Sequence, residues 1–143
     1  MNTQKEMIAK ELVRRGRAGL PGLTQLEALT QLGVGRLASR IFELKMDGYE
    51  IERKMVSVVK ANGETADVAA YSVDPKYVCS EREAYAGTFI RAVQLSDLTV
   101  MVEEDAGEEG WREVPGTRKT EDWALTYGEL LTLARTYKKT KEG

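Results

Sequence analysis

Histidine is absent from the 143 residues, and cysteine occurs once, at Cys79. The first absence removes the commonest general base and the commonest zinc ligand together. The second excludes an internal disulfide and any cysteine-rich metal site. No phosphate-binding glycine loop, nucleophile elbow or metal-ligand spacing takes their place. A binding protein without metal or cofactor is expected, not an enzyme. Nor does any apolar run approach the roughly 18–20 residues of a membrane span. The opening stretch MNTQKEMIAK has no apolar signal-peptide core, so a cytoplasmic protein is expected, with no membrane partner. What remains is 42% hydrophobic and 31% charged, an ordinary globular mixture.

The net charge of −2 hides an asymmetry. Residues 1–60 hold eleven Lys/Arg against seven Asp/Glu, or +4; residues 61–143 hold ten against sixteen, or −6. The basic part coincides with the clearest helical patterning, as a phosphate-binding surface requires. A first helix is expected from Thr3 to about Arg15, with Met7, Ile8, Leu12 and Val13 inward and Lys5, Lys10, Arg14 and Arg15 outward. Gly16 to Gly22 reads as a loop. Thr24 and Glu27 then have capping-box spacing. Leu26, Leu29 and Leu32 recur as one buried stripe would, and Gly33 supplies a left-handed C-terminal cap. A further helix runs from Gly35 to Asp47-Gly48 with Leu37, Ile41 and Leu44 inward. Two helices about a short glycine turn are the local pattern of a helix-turn-helix.

After Gly48 the period shortens to that of strands. Tyr49–Glu52 is expected as a short strand and Met55–Lys60 as a longer one. Asn62-Gly63 favours a tight turn, and Ala66–Val73 returns as the partner. Three helices, a short strand and a hairpin make a winged helix. From about Gln4 to Val73 the chain resembles the small winged helix-turn-helix domains of phage and prophage proteins. The resemblance is carried by Leu26-Glu27-Ala28-Leu29, Leu32-Gly33, Arg36-Leu37-Ala38-Ser39-Arg40-Ile41, Leu44 and Asp47-Gly48-Tyr49-Glu50-Ile51. It implies binding to double-stranded DNA.

The second half resembles nothing comparable. Asp74-Pro75 ends the wing, and 74–86 reads as a linker between a 1–73 domain and a small α+β domain at 87–143. Ser80-Glu81-Arg82-Glu83 has capping-box spacing for a short helix, and Phe89–Leu95 fits helix or strand. Leu98–Glu103 is a strand and Trp111–Val114 its return across an acidic turn. Thr126 and Glu129 open a terminal helix, and Lys138, Lys139 and Lys141 lie in a polar tail. The fold class is therefore α+β, a winged helix followed by a hairpin and a C-terminal helix.

Candidate DNA-binding residues follow from helical geometry. Arg36, Ser39 and Glu43 point outward from the second motif helix, with Arg40 on its flank. Arginine bonds guanine or phosphate, serine contacts base or backbone, and glutamate can accept from cytosine. Thr24 and Gln25 sit where helix N–H groups suit a phosphate, although capping accounts for Thr24. Lys60 and Asn62 lie on the wing, where Asn62 is also needed for the turn, and Arg53 and Lys54 add positive charge. Phe42 lies partly outward. Packed against the wing it is compatible with DNA; bare, it points to a protein interface. In the second half, Glu103, Glu104, Asp105, Glu108, Glu109 and Trp111 form an acidic, aromatic patch that suits a basic partner or simply a solvated turn. The expectation is a small phage or prophage regulator reading the major groove, its C-terminal half forming a homodimer or recruiting a partner. The alternative is an inhibitor of a host nucleic-acid machine, such as a polymerase or CRISPR effector.

Overall fold

A computed structural model describes residues 3–142, with side chains described as far as residue 138. The chain divides into two compact units, residues 1–78 and 79–143. The first begins with α1 (Gln4–Ala18). Thr3 caps it by accepting the Glu6 N–H, and Gly19, in the left-handed region, closes it. Ile8, Ala9, Leu12 and Val13 form its buried face. The helix runs one turn past its expected end because Gly16 lies against the strand that ends at Val73: a Cβ there would stand 2.7 Å from the Val73 carbonyl oxygen. Gly16 is thus a helical contact and not the start of a loop.

β1 (Leu23–Thr24) leads into α2 (Gln25–Leu32), and a four-residue turn joins that to α3 (Leu37–Met46). The Thr24–Glu27 capping box forms, and Gly33 takes φ +71° at the C-cap. Leu37, Ile41 and Leu44 are buried, as their spacing requires. The Leu26–Leu29–Leu32 stripe is not. Ala28 is the one buried residue of α2, while Leu26 and Leu29 are 69% and 52% exposed. Three-residue steps drift around a 3.6-residue helix, and this two-turn helix rests on the row that carries its small alanine. β2 (Ile51–Val59) is one continuous strand, not a short strand followed by a longer one, because Arg53 and Lys54 carry the ladder on opposite Tyr71 and Ala70. It pairs along its whole length with β3 (Thr65–Val73), and β3 pairs on its other side with β1. The sheet order is β1–β3–β2, which leaves β2 at an edge.

The second unit is a five-stranded antiparallel sheet with one helix. β4 (Arg82–Tyr85), β5 (Ile90–Gln94), β6 (Thr99–Asp105) and β7 (Trp111–Glu113) are neighbours in that order, and β8 (Lys119–Thr120) also pairs with β6. The helix expected to open at Ser80 is absent. That stretch is β4, with Ala84 buried between exposed Glu83 and Tyr85, a period of two that overrides the capping-box spacing. The segment 74–86, expected as a linker, holds an isolated Asp74–Tyr77 bridge and a strand. Leu98 belongs to the β5–β6 turn, at φ +72° and fully buried, and not to the strand. α4 (Tyr127–Glu142) opens on the Thr126–Glu129 pair and sets Leu130 and Ala134 against Ala84, Ala92, Val100 and Val102. Buried Gln94 ties the turn to the segment before α4, donating to the Leu98 and Trp123 carbonyls and accepting from Leu125 N–H at 2.8 Å. The tail residues Lys139 and Lys141 lie outside the described side chains. Among the described residues no helix is long and apolar enough to cross a membrane.

Candidate nucleic-acid interface

The inward anchoring of Leu37, Ile41 and Leu44 fixes which side of α3 faces outward: Ser39, Phe42 and Met46, with Arg36 and Glu43 on one side and Lys45 on the other. Arg36 occupies the N-cap position of α3 and is exposed. Arg36, Lys45, Arg53, Lys54 and Lys60 make no ion pair with any described residue, and all five are exposed. Several other cations of this unit are neutralised. Lys5 meets Asp47 at 2.7 Å, Arg14 meets Glu11, and Arg40 meets Glu43 at 3.0 Å. Arg40 and Glu43 were both candidates for base contact; the structure pairs them with each other, half-buried, which leaves less of either for a groove.

Thr24 and Gln25 also turn out to be engaged within the fold. The Thr24 hydroxyl accepts from Glu27 N–H and donates to Glu27 Oε1 at 3.0 Å. Gln25 bridges the helix-turn-helix turn: its Nε2 donates to the Val34 carbonyl at 3.0 Å, and its Oε1 accepts from Leu37 N–H at 2.8 Å. That second bond satisfies a donor of α3's first turn, where Arg36 supplies no side-chain cap. On the wing, Asn62 Oδ1 accepts from Glu64 N–H, so Asn62 serves the turn, while the Lys60 side chain is exposed.

Arg15, expected among the solvated cations of α1, is buried and central. It donates to Glu11, to the Pro21 and Gly22 carbonyls, to Glu27 and to Gln31. It thereby holds α1, the following loop and α2 in one arrangement. Burial would raise the Glu27 pKa, but hydrogen bonds from Thr24 and Arg15 outweigh it and hold the carboxyl below its ordinary value. Glu11 is lowered chiefly by its hydrogen bond from Arg14, against an opposing burial effect.

Phe42 is 65% exposed and Met46 74%. Phe42 is therefore bare, and the centre of α3's outward face is apolar with cations around it. The acidic hairpin of the second unit differs from its sequence appearance. Glu103 pairs with Arg91, Glu104 with Arg112 and Glu113 with Arg118. Trp111 is half-buried, with the Arg91 guanidinium 4.4 Å from its ring centroid and Tyr85 edge-on at 5.8 Å. Asp105 caps the Gly107 N–H, and Glu108 and Glu109 are exposed on a short 3-10 turn. Arginines thus neutralise Glu103, Glu104 and Glu113, half of the carboxylates in what reads as a negative patch. Only their spatial pairing reveals this, since Arg91 lies twelve residues from Glu103. No group of three or more His, Cys, Asp and Glu side chains among the described residues is arranged to hold a metal.

No curated protein and no solved structure matches the chain. A family model does: that of the winged helix-turn-helix domain matches residues 3–74, which α1, the helix-turn-helix and the hairpin wing fill. The chain belongs to the winged helix-turn-helix domain family.

Proposed function

We propose that residues 1–78 bind duplex DNA, with the outward face of α3 in the major groove and the wing along the backbone, and that the chain is a sequence-reading transcriptional regulator. One observation carries this reading. Within the first unit, five exposed cations that make no ion pair with a described residue lie on the two elements such a domain presents to DNA, Arg36 and Lys45 on α3 and Arg53, Lys54 and Lys60 on the wing. Phosphate contacts give affinity and base contacts give specificity. Arg36 grips guanine or a phosphate, Ser39 contacts base or backbone, and Phe42 lies against thymine methyl groups, an apolar contact that needs no hydrogen bond. The regulator is of phage or prophage type, as the helix-turn-helix sequence suggests, and the chain is a binding protein, not an enzyme.

Binding to random-sequence duplexes across a salt series tests the proposal. Affinity is expected to fall steeply with salt, and each phosphate-contacting cation removed should flatten the log–log slope by about 0.9. Arg36→Ala and Lys54→Ala should weaken binding, and Arg40→Ala, already paired with Glu43, should do so least. Absence of binding at low salt overturns the proposal.

Bare Phe42 and Met46, with Leu26 and Leu29 exposed on α2, favour a second reading in which this unit docks on a protein of a host nucleic-acid machine and inhibits it. Phe42→Asp separates the two. Under the DNA reading it abolishes site preference on selected duplexes; under the second it leaves DNA binding unchanged and removes a co-purifying protein.

A further inference from the structure

The outer edge of β2 carries the inference. In the β2–β3 ladder, Lys60 N–H donates to the Glu64 carbonyl at 2.7 Å, so the even-numbered residues of β2 bond to β3. Arg53, Met55, Ser57 and Val59 then direct their N–H and C=O groups away from the sheet, and none of them is paired within the described chain. Met55, Val58 and Val59 are exposed, and Val56 is half-buried. A nine-residue edge with apolar side chains is a template for another strand.

The geometry points to a second copy of this chain as that strand, the two β2 edges pairing antiparallel about a two-fold axis at Val56. Charge selects this register. Placing Val56 opposite Val56 sets Glu52 opposite Lys60 at both ends, Lys54 opposite Val58, Arg53 opposite Val59 and Met55 opposite Ser57. It satisfies every outward backbone group from Arg53 to Val59. The neighbouring registers are worse. An axis at Lys54 sets lysine against lysine, an axis at Ser57 sets Lys54 against Lys60, and an axis at Met55 leaves Glu52 and Lys54 opposite valines and gives Lys60 only Glu50, which precedes the strand and bonds its N–H to the Val78 carbonyl. Like charges directly opposite destabilise a pair and opposite charges stabilise it. On one face of the joined sheet, Val68 and Val56 of one copy continue into Val56 and Val68 of the other, an apolar band. The edge is isologous, so pairing closes at a dimer and does not run on into a fibre. Lys60 then faces the second copy's Glu52, and Arg53 and Lys54 remain the wing's cations toward solvent.

This dimer does not depend on DNA binding, and its test uses no DNA. The full chain is examined by sedimentation equilibrium and by oxidative crosslinking of single-cysteine additions, with buried Cys79 left in place. Val56 pairs with its own counterpart at a non-hydrogen-bonded position, where Cα atoms stand about 4.5 Å apart. That falls within the roughly 4.4–6.8 Å a disulfide spans, so Val56→Cys should crosslink to a covalent dimer. Val58→Cys, whose counterpart lies four residues away along the strand, should not. Glu52→Lys should dissociate the dimer and Glu52→Lys/Lys60→Glu should restore it, which separates loss of pairing from loss of fold. A chain monomeric at every concentration overturns the inference. So does crosslinking of Val58→Cys in preference to Val56→Cys, or a charge swap that restores nothing.

Discussion

Gln25 uses both ends of its amide inside the turn that defines the helix-turn-helix, and Arg15 uses its whole guanidinium inside the α1–α2 junction. Both look like surface residues in the sequence. A glutamine beside a cap and an arginine in a run of basic residues carry no local sign of what they meet nine to sixteen residues later. Gln25→Ala leaves the Leu37 N–H and the Val34 carbonyl without this partner and should cost about 1–3 kcal/mol in thermal or denaturant unfolding. Because the defect is structural, the salt slope of DNA binding should stay at the wild-type value once the protein is folded. A flattened slope would instead make Gln25 a phosphate contact. The junction also sets a pH dependence. Glu27 and Glu11 both titrate below their ordinary values when folded. The unfolded chain therefore takes up protons first as pH falls, and the stabilisation, complete above the ordinary glutamate range, is lost as pH drops through the folded values. Acid unfolding followed by circular dichroism should show a shallower acid limb for Glu27→Gln than for the wild type. An unchanged limb would remove Glu27 from the linkage.

Among the elements, the legible ones are those whose signals are local. The Thr24–Glu27 and Thr126–Glu129 capping pairs, the Gly33 C-cap, the Leu37–Ile41–Leu44 row and the Asn62-Gly63 turn all act within one or two helical turns of their own positions, and these are found. The illegible ones depend on partners distant in sequence. β1 is two residues long and exists only because β3 lies beside it. α2 buries Ala28 and exposes its leucines because the surface it meets comes from elsewhere. β4 is a strand because β5 pairs with it, whatever the spacing of Ser80 and Glu83 suggests. α1 extends over Gly16 for the same kind of reason. Gly16→Ala improves helix propensity by up to about 1 kcal/mol, yet its methyl group would stand 2.7 Å from a backbone oxygen that no side-chain rotation can move. The clash should prevail, with a net destabilisation of about 1–3 kcal/mol and a lower Tm. A stabilised variant would mean that α1 slides freely over β3. For the candidate site, the outward position of Arg36, Ser39 and Phe42 was legible from helix periodicity alone. The pairing of Arg40 with Glu43, and of Glu103 and Glu104 with arginines, was not.

At the scale of the whole molecule, charge is divided more evenly by structure than by an arbitrary cut. Residues 1–78 hold twelve Lys/Arg and ten Asp/Glu, a balance of +2, while 79–143 hold nine and thirteen, a balance of −4. The charge the first unit can offer a phosphate is therefore a matter of arrangement, since paired cations are silent and five exposed ones that make no ion pair with a described residue gather on α3 and the wing. The acidic second unit opposes any approach to phosphate over distances comparable to the Debye length, about 10 Å at 0.1 M salt and 30 Å at 0.01 M. Residues 1–78 have their own core, in which Ile8, Leu12, Leu23, Leu37 and Leu44 are essentially fully buried, so the fragment should unfold cooperatively by itself. Freed of four net negative charges, it should bind random duplex DNA more tightly than the full chain at low salt. The two should converge as screening removes the long-range repulsion but not the contacts. A fragment that folds yet binds more weakly than the full chain at every salt concentration would place part of the DNA contact in residues 79–143.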